Sequence, residues 1–197
     1  MRLTVKEKKK VVLTSLSSSI DVFKHTQDNC VDDIVRIAGL ISCCLKNKRK
    51  VMFFGNGGSA CDSQHLSAEL VGRFQRTRRG LPALALNCNT AVLTALVNDL
   101  GIKQMFARQV EALAEKGDVV IGLSTSGNSV NVIHGLKQAR KQGAVTVGFT
   151  GKSGGKIGSM VDVCLKIPSD VTARIQEGHI AAGHIICQLV EDELVEK

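Results

Sequence analysis

Trp and Tyr are absent from the 197 residues, and Phe occurs only 6 times. Proteins that grip single-stranded nucleic acid stack bases on aromatic rings beside their positive charge, so that class is poorly served despite a formal net charge of +8. Proline numbers 2, too few for a Pro-rich linker or a collagenous chain. No apolar run reaches the roughly 20 residues that cross a bilayer, and the N-terminus lacks the uninterrupted apolar segment of a signal peptide. The seven cysteines, Cys30, Cys43, Cys44, Cys61, Cys88, Cys164 and Cys187, are odd in number and contain no CxxC spacing. Reduced thiols in a cytoplasm are the simplest account.

What is present is ordinary globular material, 44% hydrophobic and 22% charged, of a length that suits one domain. The basic excess clusters in Lys6, Lys8, Lys9, Lys10, Lys46, Lys48, Arg49, Lys50, Arg76, Arg78 and Arg79. Such clusters read first as solvated helix ends and loops, with room for an anionic ligand.

The chain is organised around KVMFFGNGGSACDSQHLSAELVGRF, residues 50–74. Val51 to Phe54 is a short apolar run that enters Gly55-Asn56-Gly57-Gly58, the pattern of a buried strand delivering a turn. A helix is expected next, with Ser59 as N-cap and Asp62 in its first turn. Glycines there let backbone amides approach an anion at a helix N-terminus. His65 and Glu69, four residues apart, fall on one face of that helix. A carboxylate and an imidazole so placed can do acid/base work, although a solvated helix pair has the same spacing.

Ahead of this stretch, residues 4–48 show helical spacing, with a break near Thr26 to Asn29 where Asp28 or Asn29 could cap a second helix. Such a pair covers little of a sheet and is expected to pack against a partner subunit. Downstream, strands are expected over 81–86, 118–123, 144–150 and 161–167. Helices are expected over 91–96, ended by Asn98-Asp99, then over 104–115 with Phe106, Val110 and Leu113 inward, over 130–142 and over 174–196. The strands are nearly continuous in apolar residues, which favours a parallel sheet covered on both faces. The third strand runs into Ser124-Thr125-Ser126-Gly127-Asn128-Ser129, a second hydroxyl-rich turn before a helix. In open sheets of this kind ligands sit beyond the carboxyl ends of the strands, where both turns lie.

A dinucleotide fits poorly, because the glycines follow GxGG and no acidic residue ends the second strand to hold a ribose. A P-loop is excluded by the lack of Gly-Lys-Ser/Thr. Hydroxyls with few cations suit one phosphate monoester, as on a sugar phosphate.

GNGGSAxDSQHLxxEL, the Asn98-Asp99 pair, STSGNS and ARIQExH resemble the sugar isomerase (SIS) fold in its phosphoheptose isomerase branch, in the right order across nearly the whole chain. The resemblance implies a single SIS domain over 1–197. It would be a flavodoxin-like three-layer α/β/α core over 50–197 with a central five-stranded parallel sheet, and two leading helices over 1–48 at an oligomer interface. It implies conversion of sedoheptulose 7-phosphate to D-glycero-D-manno-heptose 7-phosphate by a homotetramer with sites between subunits, towards activated heptose for lipopolysaccharide or other glycans. Carried over by position, Asn56, Gly57 and Gly58 touch the sugar. Ser59, Ser124, Thr125, Ser126 and Ser129 surround the phosphate, and Asn98 and Asp99 meet substrate hydroxyls. His65, Glu69, Gln176 and His184 match metal ligands for Zn²⁺, Gln176 also meeting substrate. Glu69 and His184 are the expected catalytic pair. Ala173 stands where some members carry Asp. GNGGSAxxSQH and ARIQE are shared with an initiator-associating protein of the same fold that binds the replication initiator DnaA, so an interaction protein is the rival reading, and Glu69 with His184 is what favours the enzyme.

Overall fold

A computed structural model describes residues 2–195. Five parallel strands, β1 (Val51–Gly55), β2 (Ala83–Ala85), β3 (Val119–Leu123), β4 (Val145–Gly151) and β5 (Val163–Ile167), lie in the order β2-β1-β3-β4-β5. Side chains of β1 alternate between two cores, as the pleat requires. Val51 and Phe53 face one side, where α2 (Val31–Lys46), α3 (Gly58–Val71) and α7 (Thr172–Leu194) pack. Met52 and Phe54 face the other, against α5 (Gln104–Leu113) and α6 (Val130–Lys141). The expected α/β/α layering and five-stranded parallel sheet are therefore present.

The chain leaves β1 towards β2 on one side and returns to β3 on the other, so the crevice of the sheet opens between β1 and β3. Gly55 and Leu123 are register partners at the carboxyl ends of those strands. The turns that follow them are thereby neighbours.

Several boundaries differ from the sequence expectation. α1 (Val5–Asn29) begins at a capping box between Thr4 and Glu7, and α2 follows after Cys30, whose side chain makes no cap bond, so neither Asp28 nor Asn29 caps it. α2 buries Ile34, Ile37, Ala38, Ile41 and Leu45 in the main core, whereas α1 buries Val22 alone. The first member of the leading pair touches α7 and α2 along one side but keeps an exposed apolar face among the described residues. β2 is three residues because the Leu81 amide turns away to the Leu70 carbonyl. α4 (Thr90–Leu100) starts on the Asn89 side-chain cap and runs through Asn98 and Asp99 to Gly101, whose φ of 81° stops it. Leu113 is 42% exposed rather than inward. A 3₁₀ turn, Ile157–Ser159, lies between β4 and β5. The last helix ends at Leu194, and the expected limit at Glu196 lies outside the described residues.

Candidate active site

Helix α3 starts two residues earlier than a Ser59 cap would have it. Gly57 is the N-cap with φ of 57°, a conformation that glycine adopts freely, and Ser59 is buried inside the first turn. Asp62 consequently lies beyond the first turn, where burial raises its carboxyl pKa and nearby His65 opposes the rise. The amide of Gln176 covers Gly58, and a Cβ there would overlap it.

Two asparagines brace the turn. Asn87 takes the Gly55 amide at 3.3 Å and donates to the Gly55 carbonyl at 2.9 Å. Asn56 and the buried Asn131 of α6 exchange both side-chain bonds, at 2.9 and 2.8 Å. Asn131 therefore ties the first turn to the helix that begins at the second, and neither it nor Asn87 stood out in the sequence. The signal was a lone amide on the inward face of α6.

In the second turn Ser124 Oγ donates to Ser129 Oγ at 2.9 Å and lies 3.4 Å from Ser126 Oγ, while Asn128 N donates to Ser126 Oγ at 3.2 Å. Ser129 is the N-cap of α6 but makes no side-chain cap bond. Thr125 contributes its carbonyl to Gly151 N at 2.9 Å. Hydroxyls thus converge at a 12-residue helix whose N-terminal amides have no side-chain cap, an arrangement that favours an anion.

The acid/base candidates meet across two helices. His65 Nε2 lies 3.0 Å from Glu69 Oε1 and 3.0 Å from His184 Nε2 of α7. One ligand atom from each of the three falls within 4.8 Å of the others. Bonds of about 2.0–2.2 Å to a tetrahedral ion put ligand atoms a little over 3 Å apart, so two imidazoles and a carboxylate fit Zn²⁺ by donor type and by spacing. Helix packing allows the meeting. Gly183, next to His184, lies against Leu66, next to His65, and a Cβ on Gly183 would fall 2.5 Å from Leu66 Cδ2.

Gln176 makes no hydrogen bond to the trio among the described residues; its amide is at the start of α3 instead. Asn98 and Asp99 are bonded to each other at 2.8 Å in the exposed last turn of α4, on the other side of the sheet from α3 and α7. Within one chain they do not join the trio. Ala173 is exposed in the first turn of α7.

Residues 16–151 match the family model described as SIS domain. A phosphoheptose isomerase of Aquifex aeolicus is 55% identical over 164 residues, covering 83% of this chain and 86% of its own. The chain belongs to the SIS domain family, among its phosphoheptose isomerases. A second such relative, from Roseiflexus sp., is 50% identical over 94% of both chains. The solved phosphoheptose isomerase GmhA from Neisseria gonorrhoeae superposes with a TM-score of 0.89 at 40% identity, covering 96% of this chain and 100% of its own. Within this SIS domain the site trio comes from α3 and α7, and the family model ends before α7 begins. No helix among the described residues is long and apolar enough to cross a membrane.

Proposed function

We propose that this SIS-domain chain is an isomerase that converts D-sedoheptulose 7-phosphate into D-glycero-D-manno-heptose 7-phosphate through an enediol, supplying the first step of nucleotide-activated heptose synthesis in the cytoplasm. The observation that carries the reading is the meeting of Glu69 and His184 with His65 on two helices, the first of which starts at the Gly-rich turn. Interconverting a ketose and an aldose moves one proton between adjacent carbons while the carbonyl migrates. A base must take the carbon-bound proton, and something must steady the oxygen where charge develops.

Glu69 is the base in this reading, and His184 handles protons on the oxygens. Ser124, Thr125, Ser126, Ser129 and Ser59, with the amides at the starts of α3 and α6, hold the phosphate. Asn56, Gly57 and Gly58 line the sugar chain, and Gln176 meets it from α7. His65, Glu69 and His184 would hold Zn²⁺, with Gln176 as a fourth donor once its amide leaves Gly58. Bound zinc supplies Lewis-acid polarisation of the carbonyl or the adjacent hydroxyl. With Ala173 in place of a carboxylate, proton handling falls to Glu69 and His184.

Asn98 and Asp99 reach substrate from a neighbouring subunit in this account. The partner is a second copy of the chain, because α1 exposes Val11, Val12, Leu16, Ile20 and Phe23 among the described residues. We assign a homotetramer in which residues 1–48 lie at the interface, α1 by its uncovered face. Incubation with sedoheptulose 7-phosphate should give the aldose, and sedimentation should give four times the 21.1 kDa chain mass. A folded protein that leaves the ketose unchanged, with or without added Zn²⁺, contradicts the reading, and capture of the replication initiator by that inactive protein would favour the binding-protein alternative.

A further inference from the structure

Helix α3 ends at Val71 with no basic residue in its last turn, and its closing carbonyls need donors. They find them in Arg78. Its Nη2 donates to the Glu69 carbonyl at 2.8 Å, and its Nη1 donates to the carbonyls of Leu70 at 2.8 Å and Gly72 at 3.2 Å. The backbone of the proposed base is therefore held directly by this guanidinium.

Arg78 is itself fixed by Glu191, two turns along α7 from His184. Arg78 Nε and Glu191 Oε1 are 2.8 Å apart, with side-chain exposures of 4% and 1%. The Glu191 carboxylate also accepts from the amides of Phe74 at 2.8 Å, Gln75 at 2.8 Å and Arg76 at 3.0 Å. Burial alone would raise its pKa, but three amides and one guanidinium bring it below the ordinary carboxylate value.

Phe74, whose amide Glu191 holds, lies flat on the imidazole of His184. The ring centroids are 5.5 Å apart with 23° between planes. One buried ion pair thus reaches both reacting groups, through the Glu69 carbonyl on one side and through the Phe74 ring on the other.

We propose that Arg78 and Glu191 are positioning residues for the isomerisation, setting Glu69 directly and His184 through Phe74, so that base, imidazole and metal donors keep one geometry. The proposal rests on the isomerase reading above. Groups that orient metal ligands from behind typically change affinity or activity by about 10- to 100-fold when replaced. A purely structural tie between α3 and α7 would lower stability while leaving the folded fraction unaltered at the site.

The test uses Co²⁺ as the probe, since its absorption spectrum reports ligand geometry without turnover. Wild type, Phe74→Leu, Glu191→Gln and the double variant are titrated with Co²⁺ and assayed with sedoheptulose 7-phosphate. Each single variant should bind Co²⁺ about 10- to 100-fold more weakly with an altered spectrum, and kcat should fall by a like factor while KM holds within about twofold. The double variant should be no worse than Glu191→Gln alone, because the Glu191 carboxylate reaches His184 through that same ring. If Glu191→Gln does not fold, Phe74→Leu tests the hold on His184 with the buried pair intact, and Arg78→Lys, assayed in the same way, tests the hold on Glu69. Wild-type Co²⁺ affinity, spectrum and kcat in Phe74→Leu, or effects that multiply in the double variant, would overturn the positioning pair. A wild type that neither takes Co²⁺ nor isomerises would overturn the isomerase reading, and this proposal with it.

Discussion

His179 is fully buried on α7, with Nε2 3.1 Å from the Thr150 carbonyl and Nδ1 without a partner among the described residues. A carbonyl only accepts, so Nε2 carries a proton, and burial of the ring disfavours a second one on Nδ1. Burial lowers its pKa to about 4, the Thr150 bond opposing the shift. The unfolded chain takes up a proton below about pH 6.5 that the folded ring refuses until about pH 4, so stability falls as pH drops through that window, by about 3 kcal/mol in all. His179→Gln should flatten this part of the acid limb of a thermal-unfolding series between pH 7 and 4, and an unchanged slope would count against the assignment. Residues of this kind were hard to read from sequence. Arg78 sat among basic residues that read as solvated, and only its partner hinted otherwise: Glu191 lies on the same α7 face as Cys187, Val190 and Leu194, where a carboxylate needs a cation. His65 and Glu69 were legible because both lie on one short helix, and spacing alone puts them on one face. The meeting of His65 with His184 spans 119 residues of chain, and the family resemblance that carried His184 over by position was the only hint of it.

At the scale of elements, local signals placed what local chemistry decides. The end of β3 at Leu123 and the start of α6 at Val130 follow from turn residues and apolar runs. Asn98-Asp99 did not stop α4, because polar residues on an exposed helix end cost little, whereas Gly101 takes a backbone shape that ends it. The same applies to Ser59, displaced from the cap by a glycine able to adopt φ of 57°. The contact between α3 and α7 is a tertiary property and turns on Gly183. Gly183→Ala should push Leu66, 1% exposed, out of its place and destabilise by about 1–3 kcal/mol. Adding Leu66→Val should recover part of that loss in the same thermal-unfolding measurement. A Gly183→Ala protein as stable as wild type would show that the two helices have slack between them.

For the whole molecule, the sheet order decides where chemistry can occur. Strands β1 and β3 adjoin only because the chain reverses direction across the sheet at β1, and this brings the Gly-rich and Ser-rich turns together at one edge of the crevice. Helix α3 then carries His65 and Glu69 away from that edge by roughly 10–16 Å of helix. Helix α7 supplies the remaining group from the far end of the chain. The parallel sheet was legible in the apolar strands and so was a leading pair left over for a partner, while only the packing shows that α1, not α2, keeps the exposed apolar face. The account's central claim is that Glu69 takes the carbon-bound proton, and exchange in D₂O reads that step directly. Proton NMR should show wild-type protein placing solvent deuterium on the carbon beside the sugar carbonyl. Glu69→Gln should slow that exchange by about 10² to 10⁴ while sedoheptulose 7-phosphate still binds; exchange by Glu69→Gln at the wild-type rate would contradict the account.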